Sequence, residues 1–328
     1  MKSIKILLAG LVVLVVVFAS SCGEKKQTET YYLISVNTQL PYWRTVANGF
    51  TKAAASHQVY TKIAGPESYD PLGELDALQR AVQAKPAGIL ISVADASVLE
   101  REIDNAVKQG IPVIAVDSDA RITRRITFIG TNNVDAGRLG AARLIEKLGG
   151  KGNVVFFTIP GQPNLEERLS GFKQDLERYP GVKIAGIADI KGGATDAFDQ
   201  AQQYLARTGP EKIAAFVCLE AVSGKPVADA VKRVKKGPPL VIAWDTDQGT
   251  LDAVRDGTID ATIAQKPYTM GFFGLKMLYD VVHAPPPLLN KDFHTDFFSP
   301  YPAYVDTGTV LVDKSNVDLY FSAQAANK

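Results

Sequence analysis

The strongest constraint in this chain is a twice-repeated alternation of continuous apolar runs with helix-length segments. β-rich runs occur at Tyr32–Val36, Val59–Ala64, Gly88–Val93, Pro112–Val116 and Ile126–Ile129, with helical segments at 41–56, 70–84 and 95–109 between the first four. The series then recurs. Runs near 153–159, 182–188, 213–219 and 240–244 alternate with helices near 134–148, 163–179, 195–207 and 221–236. A strand that is apolar on both faces must be covered on both faces, and helices of this length between such strands imply parallel crossovers. The pattern predicts an α/β chain of two doubly wound parallel-sheet domains. With 328 residues, each half is long enough to bury its own core.

The halves also echo each other. Tyr32–Gly65 runs strand, proline, helix with Gly49-Phe50, then a strand ending Lys62-Ile63-Ala64-Gly65; Asn153–Gly186 runs strand, Pro163, helix with Gly171-Phe172, then Lys183-Ile184-Ala185-Gly186. Matching order points to a duplicated domain. After Asp260 the pattern changes: a strand at Ala261–Ala264, a long helix to about His283, a proline-rich and irregular stretch through Pro302, then a strand at Thr309–Val312.

The N-terminus reads as an export signal. Lys2 and Lys5 precede an uncharged apolar run from Ile6 to Ala19, followed by Ser20, Ser21 and Cys22. That run is short for a membrane span, which needs about 20 residues. Small residues before a cysteine look like a bacterial lipobox, so residues 1–21 are expected to be a signal peptide and Cys22 the lipidated residue. Residues 22–30 are polar and read as the tether between lipid and folded body. Removing Lys2 and Lys5 leaves the remainder within one charge of neutrality, and no long basic run supports nucleic-acid binding. Cys218 then remains unpaired inside an apolar run, where cysteine behaves as a small buried hydrophobe.

Catalytic signatures come up short. His57, His283 and His294 are scattered without metal-ligand spacing, so no metal and no cofactor is expected. No G-x-S-x-G or G-x-G-x-x-G occurs, and Ser223-Gly224-Lys225 lacks the other residues of a phosphate loop. What remains is polar and aromatic residues at the carboxyl ends of strands, where open α/β sheets bind ligands. Gln39, Tyr42 and Trp43 follow the first strand; Asp117, Asn132, Glu220, Asp245 and Gln265 follow later ones; Arg168 opens the helix after Pro163. Carboxylates accept hydroxyl protons, guanidinium donates in a planar fork, and rings cover the C–H face of a sugar. Each residue has a plainer alternative. Asp117 and Asp245 could be helix caps, Trp43 core, Arg168 the partner of Glu166, Glu167 or Asp175, and Gln265 and Asn132 backbone partners.

Over its mature length the chain resembles the type I periplasmic sugar-binding proteins of ABC transporters, in their ribose-binding group. The resemblance rests on Pro41-Tyr42-Trp43, Pro112–Asp117, Gly130–Val134, Glu167–Phe172, Ala243-Trp244-Asp245 and Ala261–Gln265 in that order. It implies a monomeric clamshell in which Tyr42 and Trp43 stack on the sugar and Asp117 holds its hydroxyls. Arg168, Glu220 and Asp245 would act from the other domain, with Gln265 near the hinge. It also implies delivery of the captured sugar to a membrane permease. Ser118 and Glu220 stand where ribose binders carry arginine and asparagine, which argues against ribose itself. The implied boundaries are 31–131 with 266–298 for the N-terminal domain and 132–265 with 299–328 for the C-terminal domain. A sensing protein that presents sugar to a receptor, and a carbohydrate-active hydrolase, remain as rival expectations.

Overall fold

The computed structural model describes residues 29–287 and 299–326; the expected signal peptide and Cys22 lie outside the described residues. The first unit carries β1 (Thr30–Ile34), β2 (Tyr60–Ala64), β3 (Gly88–Ile91), β4 (Val113–Val116) and β5 (Phe128–Gly130), with helices α1 (Pro41–His57), α2 (Pro71–Gln83) and α3 (Ala96–Lys108) between the first four. The second unit follows with α4 (Asn133–Leu148), β6 (Gly152–Thr158), α5 (Pro163–Leu176), β7 (Val182–Asp189), α6 (Ala194–Leu205), β8 (Ile213–Cys218), α7 (Gly224–Val231), β9 (Leu240–Trp244), α8 (Gln248–Asp256) and β10 (Ala261–Ala264). The chain closes with α9 (Pro267–His283), β11 (Tyr304–Asp306), β12 (Val310–Asp313) and α10 (Val317–Ala326).

Two six-stranded sheets result, ordered β2-β1-β3-β4-β5-β11 and β7-β6-β8-β9-β10-β12. All pairings are parallel except that of β12 with β10. Side chains alternate across the pleat, and this explains the continuous apolar runs. On β1, Tyr31 and Leu33 join the core shared with α1 and α9, whereas Tyr32 and Ile34 join the core on the other face. The edge strands β2, β7 and β11 leave much of their surface in water.

Two expectations change here. The expected boundary puts residues 299–328 wholly in the second unit, yet β11 pairs in parallel with β5 of the first sheet. Three residues with Tyr304 and Asp306 exposed carry no readable apolar pattern, so pairing rather than composition makes this strand. A final helix, α10, was also not expected. Cys218 is unpaired and buried, and burial pushes its thiol pKa up, as suits an inert core residue.

The Gly-Phe echo has a structural cause. Gly49 on α1 lies against the Tyr268 carbonyl of α9, and Gly271 on α9 against the Val46 carbonyl; a Cβ at either would sit 2.0 Å from that oxygen. In the second unit Gly171 on α5 and Gly137 on α4 meet the Val134 and Arg168 carbonyls in the same way. Each crossing helix thus docks on the helix after the unit's first strand, and that helix opens with residues of the cleft. Gly49→Ala should therefore lower stability by about 1–3 kcal/mol in urea titration through overpacking. An unchanged midpoint would mean that the two helices can re-space freely.

Candidate functional site

The carboxyl ends of both sheets face one another across a cleft. Its cavity offers about 60 Å³ to water centres and is lined by Tyr42, Trp43, Asp117, Arg168, Glu220, Asp245 and Gln265 among others. Seven of the nine residues expected from sequence therefore share one chamber.

Asp117 and Asp245 occupy equivalent places, each directly after the fourth strand of its unit, and both adopt left-handed backbone with φ of 64° and 66°. Aspartate tolerates this conformation better than most residues because its short polar side chain can bond locally. The helix-cap alternative fails for both. Asp247, not Asp245, caps α8 by accepting from the Thr250 amide, and no helix follows Asp117 directly. Asp117 instead accepts from the Tyr42 hydroxyl at 2.6 Å and, across the cleft, from the Asn164 amide at 3.1 Å.

Arg168 is the hub of the second wall. Only 2% of it is exposed. Its Nε donates to Asn133 at 2.9 Å, one terminal nitrogen to the Leu219 carbonyl at 2.7 Å, and the other to Gln265 at 2.9 Å. The guanidinium also stacks 5.1 Å from the Trp244 ring. None of Glu166, Glu167 or Asp175 pairs with it; Glu167 and Asp175 pair with Arg121 and Arg178, and Glu166 accepts from the Gly161 amide. Gln265 relays the order onward, donating to Asp245 at 2.9 Å.

Three carboxylates thus share the field of one buried cation. Burial raises the pKa of Asp117, Glu220 and Asp245, and Arg168 opposes the rise in each. Asp245 is pushed up to about 7, with burial as the main cause and the other two acids adding to it. Burial and the Asp117 charge hold the Tyr42 hydroxyl protonated, so it stays a donor.

Two expected residues lie elsewhere. Gln39 is exposed and accepts from Arg44 at 2.8 Å, because the loop after β1 turns its side chain outward. Asn132 caps α4, accepting from the Asp135 amide, and so faces the hinge instead of the cavity. Glu220 lines the cavity but also caps its own turn, accepting from the Val222 amide at 2.5 Å, the Ser223 amide at 2.9 Å and the Ser223 hydroxyl. Trp43 serves both of its readings, being 6% exposed in the core while lining the cleft. Sequence reasoning missed Asn37, Tyr69, Gln162 and Asn164, all of which line the cavity. Gln162 donates to Asn164 at 3.0 Å, and its buried Oε1 has no hydrogen-bond partner, leaving an acceptor for a ligand hydroxyl. Their signal was the Gln162-Pro163-Asn164 run beside Arg168, at the carboxyl end of β6.

Three connections link the units, and hydrogen bonds tie them together. Thr131 donates to Gln265 at 2.8 Å, the Thr307 amide to the Gly130 carbonyl at 2.8 Å, and the Asn132 amide to Asp306 at 3.2 Å. Tyr69 of the first unit closes over Gly192 of the second, where a Cβ would lie 2.3 Å from the tyrosine. The units therefore meet both at the hinge and across the cleft mouth.

A family model described as a periplasmic binding protein domain matches residues 31–285. The ribose import binding protein RbsB of Bacillus subtilis (strain 168) is 24% identical over 280 residues, spanning 80% of this chain and 85% of that protein. Among solved structures, a sugar ABC transporter (sugar-binding protein) from Bacillus halodurans superposes with a TM-score of 0.79 at 35% identity, covering 89% of this chain and 100% of that one. An ABC transporter solute binding protein from Burkholderia graminis C4D1M, in complex with D-arabinose, gives 0.80 at 25% identity over 90% and 98% of the two chains. With its two parallel-dominated α/β sheets, three connections and a polar cleft between them, this chain belongs to the periplasmic binding protein family.

Proposed function

We propose that the protein captures one monosaccharide or closely related polyol between its two units and delivers it to the permease of an ABC importer. The observation that carries this reading is the chemistry of the cavity wall. Asp117, Asp245 and Glu220 supply acceptors, Arg168 and Asn164 supply donors, and Tyr42 and Trp43 supply ring surface around one chamber. A polyhydroxylated neutral ligand satisfies such a set, because each hydroxyl both donates and accepts. The names of the relatives support the same class: one is a ribose import binding protein and one holds D-arabinose. The ligand contacts span both units, so binding favours the closed form by differential affinity. This is binding without turnover, and the sugar leaves unchanged. We further read the chain as an exported monomer, tethered to its membrane through lipid on Cys22.

A thermal-shift panel of monosaccharides and polyols tests the reading. A true ligand at 100-fold over its Kd should stabilise by about 2.7 kcal/mol. Calorimetry should then give a micromolar or tighter Kd for at least one sugar. A panel in which only amino acids, peptides or metal ions bind would overturn it. Acyl mass on Cys22, with nothing upstream of it, is the expected mass-spectrometric result for the tether.

A further inference from the structure

One ion pair crosses between the units without touching the cavity. Arg121, in the loop after Asp117, donates to Glu167 on α5 at 2.7 Å. An exposed pair is ordinarily worth little, since ordering two long side chains offsets the attraction. The backbone at one end of this pair and the side chain at the other are held in advance. The loop carrying Arg121 is pinned by the buried Asp119–Arg125 pair, by the Arg125 contact to the Ala303 carbonyl at 3.2 Å, and by the Arg124 amide donating to Asp104 at 2.7 Å. On the other side, Glu167 accepts from the Asn133 amide at 3.3 Å. The same Asn133, 1% exposed, accepts from Arg168 through its other atom. A continuous chain therefore runs from the surface of the first unit through Glu167 and Asn133 to the cation of the ligand cleft.

We infer that Arg121–Glu167 is a closure latch that sets affinity for every ligand by one common factor and leaves selectivity to the cavity wall. The pair joins different units, so opening the cleft breaks it while the contacts within each unit persist. A group that stabilises the closed form without touching ligand changes only the fraction of binding-competent protein, and apparent Kd scales inversely with that fraction. This inference rests on the clamshell reading but not on which ligand fills it.

The test is a double-mutant cycle with Arg121→Ala, Glu167→Gln and the pair together. Glutamine keeps an acceptor for Asn133 while removing the charge. Two readouts separate the latch from the ligand assignment. In the first, Kd is measured for two sugars of different affinity. Each single variant should weaken both by the same factor, about two- to fivefold, and the double variant should be no weaker than either single. The effect should shrink in 1 M salt. In the second, spin labels on the two units report the distance between them in protein without added sugar. Each variant should shift that distribution toward the longer distance. This readout needs no ligand, so it still decides the latch if the sugar assignment fails. The inference is overturned if the variants leave the distance distribution unchanged, if the two sugars are affected by different factors, or if the single effects add in the double variant.

Discussion

Replacing Arg168 by Met should abolish measurable sugar binding and destabilise the ligand-free protein by about 3–5 kcal/mol at pH 7.5. The guanidinium is the buried cation facing Asp117, Glu220 and Asp245, and its pull opposes the upward shift of each acid. Without it the carboxylates, all buried, repel one another with little solvent to screen them. Asn133, the Leu219 carbonyl and Gln265 also lose their donor. The loss should be largest above neutrality and shrink toward pH 5, because protonating the acids relieves their repulsion. Arg168→Lys separates charge from geometry. A point-like ammonium cannot serve three acceptors set in a planar fork, so stability should partly return while affinity stays low. Melting curves at pH 5.5 and 7.5, beside calorimetry, check this. If the Met variant melts like wild type at pH 7.5, Arg168 is not what holds these acids in place.

Sugar affinity should rise with pH up to neutrality and level off above it. Asp245 titrates near 7 in the ligand-free cleft. A ligand hydroxyl donating to this carboxylate favours its charged form and lowers its pKa in the complex. Binding below pH 7 must then release a proton, and affinity should fall by up to tenfold per pH unit until the pKa of the complex is reached. Stability of the free protein moves in the opposite sense. The folded pKa lies above the unfolded value of 3.8, so between the two the folded state holds the extra proton. Asp245 therefore costs stability progressively as pH rises from about 4 to about 7, and no more beyond. Calorimetry in two buffers of different ionisation enthalpy counts the proton directly. Asp245→Asn, which keeps the left-handed backbone accessible, should flatten the pH profile. A variant that retains the wild-type slope would assign the proton to another group.

Much of this site is legible in the sequence. Strand ends are where a doubly wound sheet places its ligand, and strand ends can be read from apolar runs. Tyr42, Trp43, Asp117, Arg168, Glu220, Asp245 and Gln265 were found that way, and all seven line the cavity. Gln39 shows the limit of that logic. It lies in the correct loop, but the side-chain direction within a loop depends on backbone angles that residue type does not specify. Asn132 failed for a related reason, since an asparagine after a strand can as well cap the next helix as face a ligand. Gln162 and Asn164 were overlooked because amides beside a proline look like ordinary turn chemistry. Only the cross-cleft bond from Asn164 to Asp117 marks them as part of the wall.

The class of fold, the duplication and the strand-end residues follow from local periodicity and from the chain order of strands and helices. Tertiary structure decided everything that depends on two distant segments meeting. It made β11 a strand of the first sheet, since a three-residue run with two exposed members is stabilised by its pairing with β5 and not by its own composition. It gave Gly49 and Gly171 their meaning through the carbonyls of other helices. It also set the charge of the cleft. A carboxylate's ionisation depends on the water removed from it and the cation placed beside it: Glu220 and Asp245 meet Arg168 by the folding of the second unit, whereas Asp117 comes beside it only where the two units meet.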